Sequence, residues 1–200
     1  MKRTGFLLLG WLVASGAGSA EAQNFLLNSA ETINKGNFKL GAYPVVLLGE
    51  DDADNEWGVA GRFGYGFTDS FDVEAKVAFF DGLKTYGADA EVWLVKGVND
   101  VSVAVGARRS DYEGDLDATA IDTSLLLSRN VGSNLELYGG VSLSFESFDD
   151  IDDSSFTRAY LVPGIEYKVS DDLDLVAEIG LGINDDSPNY LGFGLAFYVR

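Results

Sequence analysis

The chain has no cysteine and no histidine. Without cysteine there is no disulfide framework and no thiolate metal site, and the two absences together remove cysteine and histidine catalysts. Cations are scarce: 14 Lys+Arg stand against 32 Asp+Glu, a net charge of −18 over 200 residues. So acidic a chain argues against nucleic acid as a partner, because neutralising phosphates takes a basic face. Proline is limited to 3 residues. Beyond the first residues, no apolar stretch approaches the roughly 20 positions that a spanning helix needs. The length suits one domain.

The chain opens with "MKRTGFLLLGWLVASGAGSAEA": a basic start (Lys2, Arg3), an apolar run from Phe6 to Ala14, and small residues ending in Ala20-Glu21-Ala22. This is the layout of a secretory signal peptide over residues 1–22, with cleavage after Ala22. No cysteine follows the run, so a lipid anchor of the bacterial lipoprotein type is unavailable. The expectation is an exported protein that helices do not hold in a membrane. Residues 23–36, "QNFLLNSAETINKG", do not alternate. They read as a short periplasmic or plug segment, with Ser29 to Thr32 opening one or two helical turns capped by Asn28 or Ser29.

Residues 37–200 are alternating segments separated by Asp/Asn/Gly/Ser clusters, the pattern of strands and turns. Ten strands are expected, near 37–49, 56–67, 71–80, 85–96, 101–110, 118–130, 135–146, 156–169, 173–183 and 189–199. Tight connections at 68–70, 97–100, 132–134 and 170–172 alternate with mostly longer, aspartate-rich ones. That is an antiparallel up-and-down meander with both termini on the short-turn side, and eight or twelve strands remain open. Pro44 and Pro163 fall inside strands, where the missing donor demands a bulge or a local break.

Sorting each strand into its two faces gives one greasy set and one polar set. The first contains Trp57, Phe63, Phe67, Phe71, Phe79, Leu143, Phe145, Ile179 and Phe193; the second contains Arg62, Gly64, Gly66, Asp72, Glu74, Lys76, Gly140, Glu178 and Gly180. Alternation alone allows a soluble ligand-binding barrel with its grease inside, or a membrane barrel with its grease outside. Three features favour the second. Glycines gather on the polar face, where a narrow lumen needs bare positions and a solvated exterior does not. Aromatics of the greasy face sit at strand ends, Trp57, Phe79, Tyr86 and Phe145 by the long loops and Phe67, Phe71, Tyr167 and Phe197 by the tight turns. Such belts suit two lipid interfaces. Most strands also reach the roughly 9–11 residues that a tilted membrane strand requires.

The chain ends on "LGFGLAFYVR", with Leu191, Phe193, Leu195, Phe197 and Val199 at every second place. This resembles the C-terminal signal of bacterial outer-membrane β-barrel proteins, apart from the final Arg200 where that family usually ends on an aromatic. The resemblance spans the signal peptide, the meander and the terminus. It implies a transmembrane barrel in the bacterial outer membrane, in contact with lipid and lipopolysaccharide. It further implies that the barrel assembly machinery recognises the last strand, and that this strand closes on the first. Proteases, lipases and lipid-A-modifying enzymes among small barrels depend on histidine as families; this chain has none, so no enzyme and no cofactor is expected.

Predicted inward positions carry both signs: Lys39, Arg62, Lys76, Arg108, Arg158 and Lys168 against Asp72, Glu74, Asp89, Glu91, Asp122, Glu136, Glu146, Glu166, Asp174 and Glu178. Turn geometry sets Lys168 opposite Asp174, Asp89 opposite Arg108, and Arg62 diagonal to Glu74. Such a network serves either as a salt-bridged polar core or, with its carboxylate surplus, as the wall of a narrow cation-preferring pore. The loops "EDDADNE", "DYEGDLD", "DDIDD" and "DD" match no calcium-loop pattern. They suit solvated surface loops with at most weak divalent-cation binding, and no dedicated metal site is assigned. The roles left open are a structural or surface-interaction barrel, a narrow porin, and a soluble ligand-binding barrel; a monomer is expected.

Overall fold

A computed structural model describes residues 24–49, 54–114, 116–149 and 155–200. The signal peptide assigned to 1–22 lies outside the described residues, as do parts of the acidic loops at 50–53, 115 and 150–154. The strands are β1 (Phe38–Leu47), β2 (Glu56–Thr68), β3 (Phe71–Phe80), β4 (Leu83–Val95), β5 (Asp100–Tyr112), β6 (Leu116–Asn130), β7 (Leu135–Phe148), β8 (Ser155–Ser170), β9 (Leu173–Gly182) and β10 (Tyr190–Val199). Each pairs antiparallel with its sequence neighbours, and β1 pairs with β10, so the ten strands close one barrel. Closure leaves no sheet edge with unpaired backbone groups. Among the described residues there is no helix.

The period-two pattern decides the faces. Along β7, Glu136, Tyr138, Gly140, Ser142, Ser144 and Glu146 are buried, and the residues between them are exposed or half-exposed. Phe63, Phe193 and Ile179 are 51%, 44% and 43% exposed, while Arg62 and Glu74 are buried at 7% and 2%. Apolar side chains form the perimeter and charges point to the axis, the reverse of a soluble ligand-binding barrel. Of the belt aromatics, Trp57, Phe67, Phe79, Tyr86, Phe145, Tyr167 and Phe197 are exposed, and Phe71 is half-buried.

Both strand prolines break one ladder and keep the other. Pro44 pairs with Val59 on β2, but the β1–β10 ladder passes from Ala42↔Leu195 to Val45↔Gly192. Pro163 pairs with Gly139 on β7, whereas the β8–β9 ladder passes from Leu161↔Leu181 to Gly164↔Glu178. A residue without an N–H can serve only one neighbour.

Two details depart from the sequence expectations. The β4–β5 register lies two residues from the expected one, one of them introduced by an irregularity between Trp93 and Val95, so Asp89 faces Gly106 and Arg108 faces Gly87. The N-terminal segment is also not helical. Residues 24–33 run as an extended strap into the barrel from the short-turn end, nearly all of them buried. Inside the lumen its amides meet side-chain acceptors: Leu27 N–H donates to Glu178 (2.7 Å) and Ile33 N–H to Asp72 (2.6 Å). With those donors satisfied, helical hydrogen bonds are not needed. The strap joins β1 through Gly36, whose φ of +82° is a turn conformation that glycine adopts without strain.

Candidate functional site

The lumen has two unlike sides. Toward β2–β7 it is charged. There, ion pairs link nine side chains in alternating sign: Lys39–Glu74 (3.2 Å), Glu74–Arg62 (2.6 Å), Arg62–Asp89 (3.2 Å), Asp89–Lys76 (2.6 Å), Lys76–Asp122 (2.8 Å), Asp122–Arg108 (3.3 Å), Arg108–Glu146 (3.5 Å) and Glu146–Arg158. The chain runs from β1 to β8, and no member is more than 12% exposed. Removing one partner of a buried pair costs about 3–5 kcal/mol, so alternation is what allows so many charges to share a dry interior. Toward β8–β1 the wall is apolar and tyrosine-rich: Tyr43, Val45, Tyr138, Tyr160, Val162, Val176 and Tyr190 form one buried cluster with Phe25, Leu26, Leu27 and Ala30 of the strap.

The strap bridges the two sides. Phe25 meets Tyr190 edge-on at 4.9 Å between ring centroids. Arg62 donates to the carbonyls of Phe25 (3.0 Å) and Leu26 (2.7 Å). Lys76 donates to Asn24 (2.8 Å) and Lys39 to Asn28 (2.6 Å), while the Asn28 amide donates to Glu91 (2.7 Å). Leu27 sits at φ +45° and is fully buried. A side chain there costs about 1–2 kcal/mol, so the bend in the strap is imposed by its seat.

Bare positions make that seat. A Cβ on Gly66 would lie 2.3 Å from the carbonyl oxygens of Ile33 and Asn34, one on Gly64 would lie 2.3 Å from Ile33 Cδ1, and one on Gly192 would lie 2.8 Å from Leu27 Cδ2. Other lumen glycines admit tyrosine rings: Gly164 takes Tyr138 and Gly180 takes Tyr190.

The lumen carboxylates fall into three groups by what serves them. Glu74, Asp89, Asp122 and Glu146 have cations. Asp72, Glu91 and Glu178 have no cation within ion-pair distance among the described residues; donors from the strap reach each of them, with Ser102 helping Glu91 and Tyr138 and Tyr190 helping Glu178. Glu136, Glu166 and Asp174, near the short-turn end, have no cation within ion-pair distance among the described residues; hydroxyls of Ser29 and Ser128 serve Glu136, and Glu166 and Asp174 lie against each other. Lys168 faces Asp174 in register, but its ammonium pairs with Asp171 in the turn at 3.0 Å. The sequence-predicted inward set thus lies on the lumen side, with Lys168 at its rim.

Little space is left. The charged middle encloses a cavity of about 20 Å³, lined by Asn24, Asn28, Arg62, Glu74, Asp89 and Asp122 among others. That is room for about one water. A larger polar cavity, about 180 Å³, opens at the short-turn end between the strap and the ends of β7–β10.

The strap residues Asn24 to Ile33 were not among the sequence candidates for the site. Their signal was indirect: a non-alternating apolar-polar stretch beside a barrel with unmatched carboxylates and unexplained glycines. At the other rim, Arg109 ties the ends of β5, β6 and β7 together through Asp117 (2.5 Å) and Asp149 (3.0 Å). Among the described residues, no group of three or more acids converges as a metal site.

A family model described as the outer membrane protein beta-barrel domain matches residues 10–200. Among solved structures, an outer membrane channel from Pseudomonas putida F1 shares 9% identity at a TM-score of 0.54, covering 90% of this chain and 100% of its own. The KdgM porin shares 8% identity at a TM-score of 0.50, covering 81% and 99%. No curated protein sequence matches the chain. At these identities the likeness to the two structures is one of fold.

Proposed function

The chain belongs to the outer membrane protein β-barrel family and resides in the outer membrane, and from that premise we propose that it is a non-enzymatic barrel closed by its own N-terminal segment. It acts as a structural or surface-interaction element, with termini in the periplasm and acidic loops outside. It contacts lipid and lipopolysaccharide around its perimeter, works as a monomer, and is delivered to the assembly machinery through β10. The loops gather divalent cations only weakly. The observation that carries the closed state is the burial of Asn24 to Ile33 along the lumen, bonded to Arg62, Asp72, Glu91 and Glu178. Support for a non-enzymatic role is the engagement of Glu74, Asp89, Asp122 and Glu146 with cations and of Asp72, Glu91 and Glu178 with strap donors, none of them posed as a base beside a nucleophile.

A second reading, a narrow conduit for small cations, draws on one feature: the strap is separate from the wall. All four ion-paired carboxylates keep their cations without it. Planar-bilayer recordings test both readings. The intact protein is expected to be silent, and a variant lacking residues 24–35 is expected to show discrete cation-preferring conductance. Steady conduction by the intact protein would refute closure, and silence of the deletion variant would refute the strap as its cause.

A further inference from the structure

The three lumen carboxylates that neither a cation nor a strap amide reaches lie together at the periplasmic cavity. Glu136, Glu166 and Asp174 line it with Ser29, Glu31, Thr32, Asn130, Asn134 and others. Glu136 is 7% exposed, and its Oε1 accepts no hydrogen bond; Asp174 Oδ1 is likewise buried and without a partner. An unmatched buried acceptor costs about 1–3 kcal/mol, and more when charged.

Two cations, Lys168 and Arg200, line the same cavity, and both are engaged at the turn beside it. Lys168 is held by Asp171. Arg200 donates to the Asp171 carbonyl at 2.6 Å and lies 3.6 Å from Asp172. Lys39, behind Glu166, is committed to Glu74 and Asn28. Among the described residues Glu31 accepts from a neutral amide, that of Asn130 at 2.9 Å.

The cavity therefore presents a carboxylate surplus in a space of about 180 Å³, many times what one water occupies. Glu166 and Asp174 adjoin, but among the described residues no three acids converge on a point. A compact metal ion cannot reach them together. A flexible aliphatic chain with ammonium groups at intervals can, because each ammonium offers three donors and its methylenes can lie against Ile33 and Tyr198 in a mostly polar wall.

We infer that this cavity is a binding site for a small aliphatic polyamine entering from the periplasm. The inference rests on the strap being seated, since Ser29 to Asn34 form one wall of the cavity.

The test is calorimetric titration of the full-length mature protein, refolded in zwitterionic detergent at low ionic strength, with 1,4-diaminobutane, spermidine and Mg²⁺ as separate probes. Saturable binding at one site per barrel is expected, with spermidine tighter than the diamine and Mg²⁺ at least tenfold weaker. Glu136→Gln and Asp174→Asn each weaken spermidine at least tenfold; Asp185→Asn, at the opposite end, leaves it unchanged. Heat-modifiable gel migration reports whether each variant is folded. Should one variant fail to fold, the other, together with amide-proton shifts of Asn134 and Thr32 in the unmutated protein, decides. Absence of saturable heat overturns the site. So does equal binding of Mg²⁺, or equal affinity in all variants, because either describes a diffuse counterion cloud. Tighter capture of a lysine-rich peptide than of any polyamine would overturn it as well, assigning the cavity to a macromolecule. Bilayer recordings are independent of this titration, so an unseated strap and an unoccupied cavity give different results.

Discussion

Replacing Arg62 with methionine removes the fork that holds the strap while stranding no carboxylate. Glu74 keeps Lys39 at 3.2 Å, and Asp89 keeps Lys76 at 2.6 Å. What disappears is the pair of bonds from Arg62 to the carbonyls of Phe25 and Leu26. A hydrogen bond to a charged group contributes about 1.5–3 kcal/mol, so the seated state loses about 3–6 kcal/mol relative to the withdrawn one. At about 1.4 kcal/mol per factor of ten, withdrawal becomes roughly 10²- to 10⁴-fold more frequent. Amide hydrogen exchange reads this directly. The Leu27 and Ile33 amides, bonded to Glu178 and Asp72, should exchange at least a hundredfold faster, while the β3 amide of Val77 is unchanged. Arg62→Lys keeps the charge without the fork and should fall between. If Leu27 and Ile33 stay within about threefold of the parent, Arg62 does not anchor the strap. If Val77 accelerates equally, the residue serves the whole barrel, and the division between strap and wall is wrong.

Three other perturbations address different parts of the molecule. Gly66→Ala puts a methyl group 2.3 Å from two strap carbonyl oxygens; because backbone must move, it should unseat the strap base and speed Ile33 exchange while the barrel still migrates as a folded species. Val141→Arg, on the perimeter midway along β7, should lower stability by roughly 2–4 kcal/mol in urea-dependent refolding into vesicles; an effect below about 0.5 kcal/mol would contradict a lipid-facing position. Asp171, outside the spanning strands, has its carboxyl held below the ordinary range by the hydrogen bond from Lys168 and then by its charge. Its contribution is therefore present above the ordinary aspartate pKa and fades as pH falls through the lowered one. In Lys168→Met, the Asp171 carboxyl carbon should titrate at higher pH, and an unchanged midpoint would discount the pair.

Period two made most of the wall legible. Once Leu135, Leu137, Val141 and Phe145 are on one face, Glu136, Tyr138, Ser142 and Glu146 must be on the other. Register was legible at the β8–β9 turn, where Lys168 faces Asp174. It failed at β4–β5, where a two-residue offset, one residue of it from an irregularity between Trp93 and Val95, slid Asp89 past Arg108; composition does not reveal whether a turn carries an extra residue. Inward position also did not predict partner. Lys168 has a flexible stem and swings to Asp171, and Arg108 bonds Asp122 and Glu146 instead of Asp89. The strap was least legible, because its conformation comes from the cavity around it. "FLLNSAET" has reasonable helix-start chemistry, and the lumen overrides that with acceptors at Asp72 and Glu178 and bare floor at Gly64, Gly66 and Gly192.

A carboxylate surplus inside a barrel can be met by more arginines in the wall or by a guest that brings donors. Here the wall cations are used up in one alternating chain, and Asp72, Glu91 and Glu178 are left to the strap. The choice matters for how closure can end. Withdrawal breaks no ion pair in the chain, and water entering the lumen would solvate the three carboxylates that the strap leaves. The opposing term is apolar: Phe25, Leu26 and Leu27 are 6%, 5% and 0% exposed, and exposing such side chains costs about 1.5–3 kcal/mol each. Together with the Arg62 fork, that burial keeps the strap seated at rest. Opening therefore requires either removal of the segment or a periplasmic binder that covers those same three side chains. Because apolar burial and hydrogen bonds inside the lumen hold the strap, where screening by salt is weak, raising salt alone should not open the barrel.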